Sequence, residues 1–186
     1  LLKVEFDLSN EVRDIVGEGW DLAVRSGDLL DNRLVATRIA SRQLYVCASP
    51  DYVARFGAPR SLDELAEHRC ILGLHAWKLL SGGEIVKLNP ASSNITCNSS
   101  ALPLLQAGLG GLGLFQLPEI YVAEHLMSGR LVRVLDDLKP PPDGIWTVYP
   151  ERLHLPRKVK AMVAFLRAHF SLPVVDAAMP HAAVGG

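Results

Sequence analysis

Short apolar runs, each closed by a helix cap or a glycine, follow one another along the first third of the chain. Leu2 to Phe6 alternates apolar and polar residues, which predicts a strand. Ser9 or Asn10 then caps a short helix with Val12, Ile15 and Val16 on its inner face, ending at Gly17 or Gly19. Asp21 to Arg25 predicts the next strand, closed by Ser26-Gly27-Asp28. Strand, helix and strand in so few residues is the rhythm of a parallel sheet covered by helices, an α/β architecture. Leu34 to Ile39 and Gln43 to Ala48 are further apolar runs. Ser49-Pro50 supplies an N-cap and a first-turn proline for a helix through Tyr52, Val53 and Phe56, which Gly57 stops. Ser61 and Glu64 form a capping box for another short helix ending near His68.

The same reading continues to the C-terminus. Cys70 to Leu74, Glu84 to Leu88 and Asn94 to Cys97 are strand candidates, with a turn at Ser81-Gly82-Gly83. Asn98-Ser99-Ser100 caps a helix that tolerates Pro103 in its first turn and ends at Ala107-Gly108. Leu112 to Leu117 predicts a strand, and Pro118 opens a helix through Leu126 that Gly129 ends. Leu131 to Leu135 and Ile145 to Tyr149 are the last strands, separated by the stiff Lys139-Pro140-Pro141-Pro142 loop. Pro156 opens a final helix whose Val159, Met162, Val163, Leu166 and Phe170 fall on one stripe. The small, uncharged residues past Leu172 are expected to be a disordered tail.

Composition narrows the function. With 186 residues, 49% hydrophobic and 21% charged, the chain can bury a core, which excludes disorder and collagen-like structure. Nineteen Lys plus Arg against twenty Asp plus Glu leave a net charge of -1, so this piece alone is a poor nucleic-acid binder. Cys47, Cys70 and Cys97 are widely spaced and form no C-x-x-C, which predicts core thiols in a reducing, cytoplasmic compartment and no metal site. The uncharged stretch Leu88 to Pro118 carries four glycines in its second half, together with two prolines and two glutamines, which argues against a membrane span. No export signal is visible and Leu1 is not an initiator Met, so a cut piece of a longer chain is expected.

Gly108-Leu-Gly110-Gly-Leu-Gly113 matches G-x-G-x-x-G, but dinucleotide binding needs a strand before the glycines and a helix after them. Here the predicted order is reversed, which favours a helix stop with close helix-to-strand packing, and no cofactor is expected. The hydrolase, zinc-protease and phosphate-loop motifs do not occur, and the six histidines are scattered. Adjacent Asp136 and Asp137 point to opposite faces of an extended segment and read as a solvated turn. What stands out are uncharged caps at the ends of apolar strands: Ser9-Asn10, Ser26 and Asn98-Ser99-Ser100. Such caps either bind an anion through free N–H groups or simply cap helices. Arg25 either meets a ligand carboxylate or pairs with Asp21 or Asp28, and Trp77 is either a pocket wall or a core aromatic.

The combination D-L-A-V-R-x-G, A-S-P-x-Y, A-G-L-G-x-L-G-x-x-x-L-P and G-R-L-V-x-V-L, with the SGGEIVKL hairpin between, resembles the effector-binding domain of LysR-type transcriptional regulators from about Val4 to Phe170. The resemblance implies a two-lobed, type II periplasmic-binding-protein-like α/β fold whose lobes are joined by two crossings, near Gln43 to Ala48 and Trp146 to Tyr149. Residues 1–45 and 149–172 would then form an incomplete first lobe, 46–148 the second, and 173–186 the tail. The family's first strand and helix of lobe I, its linker helix and its winged helix-turn-helix are expected to lie before Leu1. The implied effector contacts are Ser9, Arg25 and Ser26 on one side and Asn98, Ser99 and Gln116 on the other, with Trp77 as a further candidate. The implied function is sensing of a small, anionic metabolite between the lobes, without catalysis. DNA would be contacted only through the parent's winged helix-turn-helix, in a homodimer or homotetramer with no membrane partner. The alternatives are a secreted solute-binding protein of a transporter, or an enzyme on the same frame.

Overall fold

A computed structural model describes residues 3–9, 13–27, 34–98, 100–151 and 155–170. In chain order the first elements are β1 (Ala23–Ser26), β2 (Leu34–Arg42), β3 (Leu44–Ala48), α1 (Pro50–Phe56), a 3-10 turn (Asp63–Glu67), β4 (Cys70–Leu72), β5 (Trp77–Ser81), β6 (Glu84–Leu88) and β7 (Ser93–Thr96). They are followed by α2 (Ala101–Leu109), β8 (Leu114–Pro118), α3 (Glu119–Met127), β9 (Val132–Val134), a second 3-10 turn (Asp136–Leu138), β10 (Asp143–Pro150) and α4 (Arg157–Phe170). The described residues divide into one unit up to Arg42 and from Asp143 on, and a second unit of Gln43–Pro142. All of β10 pairs with β1 and β2, so it belongs whole to the first unit, whereas β3 pairs only within the second. The expected divisions at residues 45 and 149 therefore fall inside strands whose hydrogen bonds hold them on one side.

The first unit is an antiparallel sheet of order β1-β10-β2, with an irregular register at Ile145/Trp146. The parallel pairing expected for the opening segments is not found among its described residues. Lys3 to Ser9 has no regular structure, because an alternating pattern becomes a strand only beside a hydrogen-bonding neighbour. The expected helix near Ile15 is a set of turns over residues 15–19, closed by Trp20 N–H donating to the Ile15 carbonyl at 3.0 Å; Asn10 and Val12 lie outside the described residues. On α4 only Val159 is buried, Met162, Val163 and Leu166 are half-buried, and Phe170 is exposed, so the predicted stripe is only partly covered.

The second unit is built on a mixed sheet of order β7-β4-β8-β3-β9, in which β4 runs parallel to β7 and β8. Both faces of this sheet are buried, as the side-chain alternation along β3 requires. Tyr45 and Cys47 join Ile71, Leu104, Leu105, Phe115 and Val122 on one side. Val46 and Ala48 join Tyr52, Leu65, Trp77, Leu79 and Leu114 on the other. Local chemistry sets the ends of the elements. Ser49 Oγ accepts from Tyr52 N–H at 3.2 Å at the start of α1, and Gly57 leaves it at φ 78°. Ser61 Oγ accepts from Glu64 N–H, while the Glu64 carboxylate takes the Arg60 N–H rather than closing the box on Ser61. The sequence reading gave Glu84 to Leu88 but not its partner strand Trp77–Ser81. Gly82 and Gly83, at φ 61° and 85°, make the two-residue turn that joins them.

Candidate functional site

In the first unit a cleft of about 840 Å³ runs between the Lys3 to Ser9 segment, the stretch Gly19 to Arg25, and the Val159, Met162 and Leu166 face of α4. Its floor is apolar, and most of the charges at its rim are paired. Arg13 meets Asp7 at 2.9 Å and Glu18 at 3.5 Å, and Lys158 meets Asp21. The Ser9 backbone N–H, 2.8 Å from the Asp7 carboxylate, holds that carboxyl below its usual value, with the Ser9 hydroxyl and Arg13 adding to the effect. Half-buried Arg25 differs. Its guanidinium donates to the Arg13 carbonyl at 2.8 Å and has no carboxylate partner among the described residues. Of the two carboxylates that could have taken it, Asp21 is engaged by Lys158 and Asp28 lies outside the described residues.

The structure thus places Ser9 and Arg25 in one cleft. Ser26 is exposed at the end of β1, paired with Ile145, and is not part of the lining. In the second unit Asn98 is exposed just before the cap of α2, and Ser99 lies outside the described residues. Ser100 is the residue whose Oγ caps α2, accepting from Leu102 N–H at 3.2 Å. Gln116 uses both ends of its amide on one residue: Oε1 accepts from Lys78 N–H at 2.9 Å and Nε2 donates to the Lys78 carbonyl at 2.7 Å. It fastens β5 to β8. Trp77, 1% exposed, takes the core reading and not that of a pocket wall, because its ring fills the space beneath β5.

Several polar contacts have no local signal in the sequence. Arg42 and Asp143 form a two-point ion pair at 2.7 and 3.0 Å, and Gln43 Nε2 donates to the Pro140 carbonyl at 2.8 Å, across separations of 101 and 97 residues. Arg133 and Lys139 lie over the Tyr45 ring, at 5.1 and 5.5 Å, with Asp136 3.3 Å from Arg133. The Tyr52 hydroxyl and His68 Nδ1 are 3.1 Å apart, and burial lowers the pKa of His68. Burial likewise pushes the Cys47 and Cys70 thiols up, and the three cysteines are free. The glycine motif follows a helix and precedes a strand. A Cβ on Gly108 would lie 2.0 Å from the Phe115 ring and one on Gly113 2.5 Å from the Arg69 carbonyl, so these glycines let α2 and β8 approach their neighbours. Among the described residues no group of three or more His, Cys, Asp or Glu is placed to hold a metal, and no helix is long and apolar enough to cross a membrane.

The frame is mixed α/β, with helices α1 and α2 opening on uncharged serine caps. The family model of the LysR substrate binding domain matches residues 1–171, and the chain belongs to that family. It is 35% identical over 175 residues to the uncharacterized HTH-type transcriptional regulator YhjC of Escherichia coli K12, covering 88% of this chain and 57% of that protein. To the HTH-type transcriptional regulator DmlR of the same organism it is 32% identical over 190 residues, covering 97% of this chain and 60% of the relative. The chain therefore spans less than two thirds of the length of these relatives. Full-length AphB, the Vibrio cholerae virulence activator, superposes with a TM-score of 0.75 at 29% identity, over 89% of this chain and 57% of that one. The regulatory domain of AphB from Vibrio vulnificus gives 0.69 at 29% identity, over 82% and 76%. The fold is accordingly the two-lobed, periplasmic-binding-protein-like α/β fold of LysR regulatory domains, and the chain is the effector-binding domain of a LysR-type regulator. The relatives are transcriptional regulators, which does not favour the transporter alternative.

Proposed function

We propose that this domain senses a small anionic metabolite for its parent regulator, acting in the cytoplasm and without catalysis. The observation that carries the reading is the guanidinium of Arg25, held at a strand end in a cleft with an apolar floor and with no carboxylate partner among the described residues. A two-point, charge-assisted bond to a carboxylate or phosphate is the chemistry such a group performs. Ser9 and Ser26 are the neighbouring hydroxyls of the same unit, and Asn98 and Ser99 are the candidate contacts of the second unit. Gln116 and Trp77 serve by positioning β5 rather than by touching the ligand. In the longer parent, a dimer or tetramer, ligand binding shifts the population of subunit arrangements and so the affinity for DNA. Calorimetric titration with a panel of mono- and dicarboxylates, aromatic acids and phosphate tests this. A member of the panel is expected to bind, and Arg25→Gln is expected to weaken it at least tenfold. Binding unchanged in Arg25→Gln, or no binding anywhere in the panel together with a parent DNA footprint that no member alters, would overturn the reading.

A further inference from the structure

The glycine motif, which lets α2 and β8 approach their neighbours, also shapes a surface of the second unit. Phe56, the last residue of α1, is 45% exposed, and the Arg55 and Arg69 guanidiniums lie over its ring at 5.3 and 5.4 Å. From beneath, the buried Tyr52 ring supports it at 4.9 Å, and the Tyr52 hydroxyl accepts the Arg69 N–H at 3.0 Å. Arg55 is fixed at two points, donating from Nε to the Asp51 carbonyl and from Nη2 to the Gly111 carbonyl, each at 3.3 Å. Gly111, at φ 71°, turns the chain there, and Gly113 lets the following residues close on Arg69, whose carbonyl accepts the Leu114 N–H at 2.8 Å. Between these two glycines Leu112 is left 48% exposed. Both arginines are exposed, and neither has a carboxylate partner among the described residues.

We propose that Arg55, Phe56, Arg69 and Leu112 form a docking surface for a separate protein, which contributes a segment with carboxylates on either side of an apolar side chain. The charges identify the occupant. Two guanidiniums without a carboxylate call for anions, and the planar fork of each takes a carboxylate at two points. The half-exposed ring and Leu112 ask for an apolar side chain between those anions. Because Arg55 and the ring are held in place before binding, less freedom is lost on docking. Arginine and aromatic residues at a solvated surface are the composition of a transient contact, whereas a permanently covered face is more apolar. A nucleic acid fits less well. The net charge of -1 supplies no field for a phosphate backbone, and the ring is already engaged by two guanidiniums and Tyr52, which disfavours a stacked base. The patch shares no residue with the cleft around Arg25, so its test is independent of the ligand reading.

Selection of a displayed library of short random peptides on the full chain, with counter-selection on Arg55→Gln/Arg69→Gln, tests the proposal. Peptides with acidic residues on both sides of an apolar one are expected to be enriched. The strongest of them, remade synthetically, is expected to lose affinity at least tenfold in Arg55→Gln/Arg69→Gln and at least fivefold in Phe56→Ser. Arg157→Gln/Lys160→Gln removes the same charge from exposed positions of α4 and is expected to change the affinity less than twofold. Circular dichroism checks that each variant keeps the fold. If the double arginine variant does not, Arg69→Gln carries the test, because its guanidinium makes no hydrogen bond among the described residues. No enrichment that depends on the two arginines, enrichment of peptides without acidic residues, or an equal loss in Arg157→Gln/Lys160→Gln overturns the proposal. So does a random-sequence oligonucleotide, single-stranded or duplex, that competes for the patch and binds more tightly than the best peptide.

Discussion

The two units reach order by different routes. In the second, the central strands are covered on both faces, and two apolar clusters contain every large side chain from Tyr45 to Leu135 that lies below 2% exposure. In the first, the buried apolar residues among those described are Ile15, Ile39, Val148, Tyr149 and Val159, while Val4, Phe6, Leu8, Val16, Val24 and Phe165 stand in solvent. The first unit leans instead on polar contacts, such as Arg42 with Asp143 and Lys158 with Asp21. A sheet closed on both faces is held by packing, which is dense and unforgiving. A three-stranded sheet that buries few of its described apolar side chains has less apolar area to set against chain entropy.

The largest test of this contrast is a matched pair of truncations followed by urea denaturation. Trp77→Ala is expected to cost about 4 kcal/mol, whereas Phe6→Ser, on a side chain 74% exposed, is expected to stay within about 0.5 kcal/mol under monomeric conditions. Equal losses would break the contrast. Next comes Gly108→Ala. The added methyl would meet the Phe115 ring, so about 2 kcal/mol should be lost and α2 displaced, and retained stability would show that the second unit yields more than its packing implies. Smaller again is Arg42→Gln, which removes a half-buried, two-point ion pair from the first unit and is expected to cost about 1 kcal/mol. The midpoint of the first unit's transition, followed by Trp146 fluorescence, reports it.

The smallest effect is a pH dependence in the second unit. Burial disfavours the charged form of His68, outweighing the pull of Glu64 and Glu67, so its folded pKa lies below the ordinary 6.5. The unfolded chain then takes up more protons as pH falls through 6.5. Stability from this residue is complete above about 6.5 and is lost as pH falls through the folded value. Denaturation midpoints of wild type and His68→Gln between pH 7.5 and 5 should therefore converge with acidification, and parallel curves would remove His68 from the account.

Much of the second unit is legible from its residues alone. Ser49, Pro50 and Gly57 bound α1 as read, Ser100 opens α2 within its cap cluster, and the glycine motif is a packing device as its helix-before-strand order implied. Legibility fails where the deciding partner is distant. β5 went unread because the run His75-Ala-Trp77-Lys-Leu-Leu lacks a clean alternation and becomes a strand by pairing with β6. The Lys3 to Leu8 pattern, sound as a strand signal, finds no neighbour to bond. Of the candidate residues, Ser9 and Arg25 line one cleft of the first unit, whereas the commitment of Gln116 to Lys78 and of Trp77 to the core depends on contacts across 38 residues and more.

By itself, then, the sequence determined the family, the caps, the stops and the short-range turns, because these depend on side chains within a few residues of the backbone groups they satisfy. Only the tertiary structure decided which strands pair, that Arg25 has no carboxylate partner among the described residues while Arg42 pairs with Asp143, and that the second unit's sheet is covered on both faces while the first buries few of its described apolar side chains. Those outcomes turn on hydrogen bonds and apolar contacts between segments far apart in the chain, and whether each is made depends on where the rest of the fold brings its partner.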